Sequence, residues 1–299
     1  MSTRITNSMI SRNVLADLNR TYEQLDRTRM KASSGKEITR PSDNPYGTAR
    51  ALAMRESLDG TRQHQRNAHD ALGWQQATES ALDKMNEVAK LTRDLVVQGS
   101  SDTVDRVSRI AIAAQIDELA QELKMHANTT YAGRFVFGGT ETMTPPYALG
   151  APDGYGGNTQ TIAREIGPGV SVAINVSGDR VIGSGGGDGK LLDVLRTVAA
   201  HLRAGDGAAL RGTDLRALDD GIDGLLLVRA ENGATTNRVE SAVSRLAEFE
   251  ESTIRQLSET EDADFAKTMV EYSTQQAAYQ AALKAGAGIV QASLMDFLR

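Results

Sequence analysis

The stretch with the most to offer chemically is Ser184-Gly-Gly-Gly-Asp-Gly-Lys190. A phosphate-cradling loop needs Gly, four residues, then Gly-Lys followed by Ser or Thr, so that backbone N–H groups and the lysine hold phosphates while the hydroxyl holds a metal ion. Here Ser184 stands at the first position and Leu191 follows Lys190, so the spacing predicts a flexible glycine loop at a domain boundary. His64 and His69 are five residues apart, not the four that stack two imidazoles on one helical face. Asp219 and Asp220 are neighbours, which point to different sides of a helix and make a poor acid/base pair. With no cysteine there is no disulfide framework and no thiolate chemistry. Trp74 and the tyrosines are not interleaved with basic clusters. No catalytic, cofactor-binding or metal-ligating set emerges, and the chain reads as non-enzymatic.

Spacing speaks more clearly at the two ends. Met269, Gln276, Leu283, Val290 and Phe297 repeat every seven residues, and Tyr272, Tyr279, Gly286 and Ser293 follow each by three. This is a coiled-coil seam, continued by Leu294. A matching stripe opens the chain, with Ser8, Leu15 and Tyr22 in one row and Ser11, Leu18, Leu25 and Ala32 in the other. The expected assembly seam is Leu15, Leu18, Tyr22, Leu25, Met269, Tyr272, Tyr279, Leu283, Val290, Leu294 and Phe297. Residues 1–40 carry eight Lys/Arg against four Asp/Glu, whereas residues 260–299 carry three against five. Opposite charge favours pairing of the ends, although exposed ion pairs add only about 0–1 kcal/mol each. One helix covers only one side of such a stripe, while ordering backbone costs about 1–2 kcal/mol per residue. Residues 1–38 and 262–299 are therefore expected to fold on assembly rather than in the free monomer.

Between those ends, glycine and proline map the organisation. Fourteen of the 28 glycines and four of the six prolines lie between Gly138 and Lys190. Within this block Val170, Val172, Ile174 and Val176 alternate with small polar residues, which predicts a half-buried strand with 161–166 as partner and a turn at Ser177-Gly-Asp-Arg180. Everything else reads as helix. Asn44 caps a helix that Pro45 begins and that runs to about 98, with Ala68, Ala71, Leu82, Met85, Ala89 and Val96 inward. Further helices are expected over 103–130, 191–202 and 208–257, the last with Val239, Ala242, Val243, Leu246, Phe249 and Leu257 inward. The expected fold is mainly α: an elongated antiparallel helical bundle or coiled coil from both termini, with a small β-rich insertion. The expected domains are 1–38 with 262–299, 39–138 with 190–261, and 139–189. A net charge of −6 argues against general nucleic-acid binding, no apolar run is long enough for a membrane span, and the first residues lack the apolar stretch of a cleavable secretory signal.

Four segments carry a family resemblance. Ala32-Ser-Ser-Gly-Lys-Glu-Ile-Thr-Arg-Pro-Ser-Asp-Asn-Pro45 resembles the N-terminal signature of the flagellin superfamily. Arg229-Ala-Glu-Asn-Gly-Ala-Thr-Thr-Asn-Arg-Val-Glu240 resembles its Arg-Ala-x-x-Gly-Ala-x-x-Asn-Arg-Leu-Glu stretch. The Tyr131–Thr140 segment and the ending from Tyr279 are similar to the hook–filament junction branch of that superfamily. The family usually carries an apolar residue beside the glycine of the second signature, where this chain has Glu231-Asn232 before Gly233. The resemblance implies a structural subunit of the bacterial flagellum that joins hook to filament by helical packing of its termini; the alternative is flagellin, the filament subunit. It also implies extracellular placement by type III export without a cleaved signal peptide. The implied partners are a ring of copies, another hook-associated protein, flagellin, and an export chaperone that binds the C-terminal helix.

Overall fold

A computed structural model of the chain describes the backbone of residues 7–150 and 152–297; the side chains of residues 7, 8, 10 and 289–297 fall outside that description. The helices are α1 (Asn7–Ser34), α2 (Pro45–Gly99), α3 (Arg106–Ala127), the single turn α4 (Gly178–Val181), α5 (Leu191–Ala204), the turn α6 (Gly207–Ala209), α7 (Leu215–Glu261) and α8 (Phe265–Phe297), with a π-helical turn, Leu210–Asp214, leading into α7. Two antiparallel two-stranded sheets, β1 (Thr130–Tyr131) with β2 (Arg134–Phe135) and β3 (Ala163–Gly167) with β4 (Val170–Ala173), lie in the middle of the sequence. The chain is thus mainly α with a small β insertion, as its patterning predicts.

Two compact units divide the residues: 1–60 with 250–299, and 61–249. In the second, α2, α3, α5 and α7 share one core. The α2 stripe Ala68, Ala71, Leu82, Met85, Ala89 and Val96 is fully buried, and Ile116 and Leu123 of α3, Leu192, Leu195 and Val198 of α5, and Leu218 and Val239 of α7 meet it. Gly221 lets α5 close on α7, since a Cβ there would lie 3.2 Å from Leu191 Cδ1. Phe137, just ahead of the insertion, and Tyr147, Ile174 and Ile182 within it join the same core.

Local chemistry sets the boundaries. Asn44 accepts from Gly47 N at 2.8 Å and starts α2 ahead of Pro45. Asp105 caps α3 by accepting from Val107 N. The β1–β2 hairpin turns on Ala132 and Gly133 at φ 49° and 77°, the pair of left-handed residues that a tight hairpin needs.

Three local expectations are corrected. The strand beginning at Val170 ends at Ala173, because Asn175 turns its side chain back to accept from Ile162 N at 2.6 Å. Val172 and Ile174 are buried, but Val170 is exposed. The turn expected at 177–180 closes as the helical turn α4. On α7, Phe249 faces solvent although its spacing placed it inward.

The insertion is tied down by polar bonds that its composition conceals. Lys124 of α3 is fully buried, and its Nζ donates to the carbonyls of Ala148, Gly150 and Pro152 at 3.2, 2.5 and 3.3 Å while pairing with Asp153. Hydrogen bonds from Arg196, joined by Lys124, hold the Asp153 carboxyl below its ordinary value. Asn128 and Tyr147 exchange two side chain–backbone bonds, and burial pushes the Tyr147 phenol up.

Candidate assembly interface

In the first unit α1 and α8 pack antiparallel. Thr28 Oγ1 donates to Gln275 Oε1 at 2.7 Å, the Tyr22 and Tyr279 rings lie 5.7 Å apart, and a Cβ on Gly286 would approach Val14 Cγ1 to 3.0 Å. Along α1 one covered row runs through Ser11, Val14, Leu18, Thr21, Leu25, Thr28 and Ala32, with Asp26, Met30 and Lys31 partly covered beside it; along α8 the covered row is Thr268, Tyr272, Gln275, Tyr279, Ala282 and Gly286. Both series step by alternating threes and fours, the spacing of a coiled-coil seam.

The structure divides the expected seam residues in two. Leu18, Leu25, Tyr272 and Tyr279 lie in the α1–α8 contact. Leu15, Met269 and Leu283 stay 60, 43 and 44% exposed in rows that flank it, and Tyr22, whose ring meets Tyr279 at the edge of the contact, is still 55% exposed. Val290, Leu294 and Phe297 belong to α8, but their side chains fall outside the described residues. Sequence reasoning missed Val14, Thr21 and Thr28 on α1 and Thr268, Gln275 and Ala282 on α8. These are mostly small or polar, so an apolar count passes over them; the shared 3-4 spacing was the available signal. Paired helices with apolar rows left uncovered can associate laterally with more helices.

Between α1 and α2, and between α7 and α8, two short connections clamp each other. Gly35, at φ 69°, ends α1 in the left-handed conformation. Lys36 then forms an antiparallel bridge with Asp262, flanked by Glu37 N to Glu261 O at 2.7 Å and Ala263 N to Gly35 O at 2.9 Å. The Glu261 side chain is 7% exposed and accepts from Lys36 Nζ at 2.9 Å and Arg55 at 2.5 Å. Burial opposes its ionisation, but the hydrogen bonds from Lys36 and Arg55 outweigh burial and hold the carboxyl below its ordinary value. Asp262 is lowered by hydrogen bonds from Lys36 and Ser258, and Lys36 is raised by Asp262 and Glu261. In the following turn Asp43 accepts from Arg40 N at 2.8 Å and from Thr39 Oγ1 at 2.9 Å, which fixes the Thr-Arg-Pro-Ser-Asp-Asn segment.

The other chemically suggestive residues do not gather. In the glycine loop, Asp188 accepts from Ser184 N and Lys190 N, and Asp193 accepts from Gly187 N and Gly189 N, so amides that could have met a phosphate already hold carboxylates. Among the described residues no three His, Cys, Asp or Glu side chains converge for a metal ion, and no helix is long and apolar enough to cross a membrane.

Comparison with known proteins assigns this arrangement. The profile of the bacterial flagellin N-terminal helical region matches residues 5–142, and that of the flagellin C-terminal helical region matches residues 215–298. The chain belongs to the flagellin family. In this flagellin-family chain the two matched regions contain α1, α2 and α3 on one side and α7 and α8 on the other, including both clamped connections. It is 27% identical to flagellar hook-associated protein 3 of Escherichia coli over 85% of this chain and 86% of that one. It is 28% identical to Bacillus subtilis flagellin over 90% of each. The crystal structure of flagellar hook-associated protein 3 from Legionella pneumophila shares the fold, with a TM-score of 0.62 at 14% identity over 70% of this chain and 98% of the other. The family consists of structural proteins of the flagellum.

Proposed function

We propose that this chain is the structural subunit that joins hook to filament in the bacterial flagellum. The observation that carries the reading is the α1–α8 pair, which is covered along one seam and leaves Leu15, Tyr22, Met269 and Leu283 exposed beside it. A protein ending in such a pair is completed by helices from neighbouring copies, which bury the remaining rows. Burying the roughly half of each of these four side chains that is still exposed contributes on the order of 3–6 kcal/mol per subunit. Similarity to a hook-associated protein over most of both chains supports a place at the junction.

In this reading residues 1–38 with 262–299 form the part that packs between copies, 39–138 with 190–261 the helical middle, and 139–189 an outward insertion. The termini order on assembly and leave the cell unfolded, by type III export, with a chaperone covering the apolar rows of α8 beforehand. Neighbours in the finished structure are a ring of copies, a second hook-associated protein and flagellin.

Flagellin itself is the second reading, favoured by equal similarity to the Bacillus subtilis protein. Deletion separates the two. Loss of the junction subunit leaves hooks assembled and flagellin released into the medium, and the intact gene restores filaments. A strain that instead lacks any filament protein, inside or outside the cell, would overturn the junction reading in favour of flagellin.

A further inference from the structure

The second family signature lies along a groove between α2 and α7 that the assembly seam does not use. Its volume is about 500 Å³, and Gln75, Glu79, Asp83, Arg229 and Asn232 line it. Gln75 and Asn232 are only 2% and 4% exposed, yet Gln75 Oε1 and Asn232 Oδ1 have no hydrogen-bond partner among the described residues. Their NH₂ groups make only long bonds, 3.3 Å each, to Ile174 O and Gln75 O. Leaving a buried acceptor unmet costs about 1–3 kcal/mol, so two together call for an explanation. Apolar packing does not supply one: Asn232 stands where the family resemblance expects an apolar residue, and a Cβ on Gly233 would meet nothing within 4 Å.

At the rim Arg229 donates to Glu79 at 2.9 and 2.6 Å and pairs with Asp83 at 3.1 Å. Two carboxylates share one guanidinium, which leaves the groove one negative charge in excess. The Thr236 hydroxyl is already committed to Asn232 O at 2.9 Å. What the groove lacks is a cation rich in donors. Both oxygens are sealed from solvent as they stand, and rotation about the soft terminal amide torsions is what would turn them toward such a group. A planar guanidinium, with five N–H donors in a fork, can reach divergent amide oxygens and a carboxylate at once, which a compact ammonium does less well.

We propose that this groove binds a guanidinium group, supplied by an arginine of a second copy of this chain. Charge complementarity favours that source: Arg106, Arg134 and Arg216 are exposed and make no ion pair among the described residues. The source rests on the junction reading, whereas the guanidinium chemistry does not.

Ethylguanidinium is the probe, titrated into the full-length monomer against tetramethylammonium at equal ionic strength, with the side-chain amide resonances of Gln75 and Asn232 followed by NMR. Both resonances are expected to shift saturably with ethylguanidinium alone. Asn232→Leu should abolish the response, and Glu79→Gln, at the exposed rim, should weaken binding at least threefold. Equal response to both cations, or none, overturns the site. A photo-crosslinking residue at Gln76 in assembled flagella then tests the source. Products joining two copies through an arginine-bearing peptide support it; products confined to one chain or to other flagellar proteins overturn the second-copy source, whatever the NMR result.

Discussion

The close approach of Gly286 to Val14 allows the α1–α8 register to be trapped covalently. The chain has no cysteine, so a Val14→Cys, Gly286→Cys pair is the sole thiol pair present. A Cβ built on Gly286 lies 3.0 Å from Val14 Cγ1. A cysteine sulfur at that Cγ1 position would sit about 3 Å from the opposite Cβ, which is the separation an S–S bond of about 2.04 Å imposes. The bond would close a loop of roughly 270 residues, worth an upper bound of about 5–6 kcal/mol in chain entropy. Leu15, one residue on, is rotated by about 100° around the helix and is 60% exposed. In assembled flagella oxidised briefly and read on a non-reducing immunoblot, the 14–286 pair should close within the chain at least ten times faster than a 15–286 pair. Equal rates, or products only between chains, would refute the register and with it the division of the terminal rows into covered and uncovered.

The clamp carries a pH dependence with a worked sign. Glu261 and Asp262 sit below their ordinary values of 4.5 and 3.8, so their stabilisation is present above those values and is lost as pH falls through the lowered ones. Lys36 sits above 10.5, so its contribution is full below that value and is lost as pH rises past the raised one. Exchange protection of the Glu37 and Ala263 amides, corrected for intrinsic rates, should hold between about pH 5 and 10 and decline outside that range; Glu261→Gln should flatten the acid limb, and an unchanged limb would contradict the assignment. Lys124→Met should destabilise the 61–249 unit by about 3 kcal/mol, because three carbonyls lose their donor and Asp153 a charge partner. At about 2–4 °C per kcal/mol the melting temperature falls by roughly 6–12 °C in calorimetry; a fall under about 2 °C would show that the buried lysine is not what holds the insertion.

The long helices were legible because their signals are local and repeated. Asn44-Pro45 marks a start, and the stripe from Ala68 to Val96 keeps its period throughout α2. The terminal seam was half legible. Leu18, Leu25, Tyr272 and Tyr279 announce themselves as apolar, whereas Thr28 and Gln275 meet through a hydrogen bond that no hydrophobic period encodes. Lys124 was invisible for the same reason: a lysine on a helix reads as solvated surface until the chain folds back to place three carbonyls around it. The glycine loop already fails the phosphate-cradle spacing at Ser184 and Leu191, and what only folding reveals is that Asp188 and Asp193 hold its amides. Asn232 was visible only as a departure from family pattern, and its unmet oxygen required the partner helix.

The central claim is that the exposed rows beside the α1–α8 seam are what neighbouring subunits cover. Leu283→Glu tests it most directly, since Leu283 is 44% exposed and outside the intrachain contact. The measurement is the fraction of this variant retained in purified hook–filament structures relative to that released into the medium. The account predicts that the variant is exported, keeps the melting temperature of the 61–249 unit, and is recovered almost entirely in the medium. Retention at the wild-type level, with filaments of normal length, would contradict it.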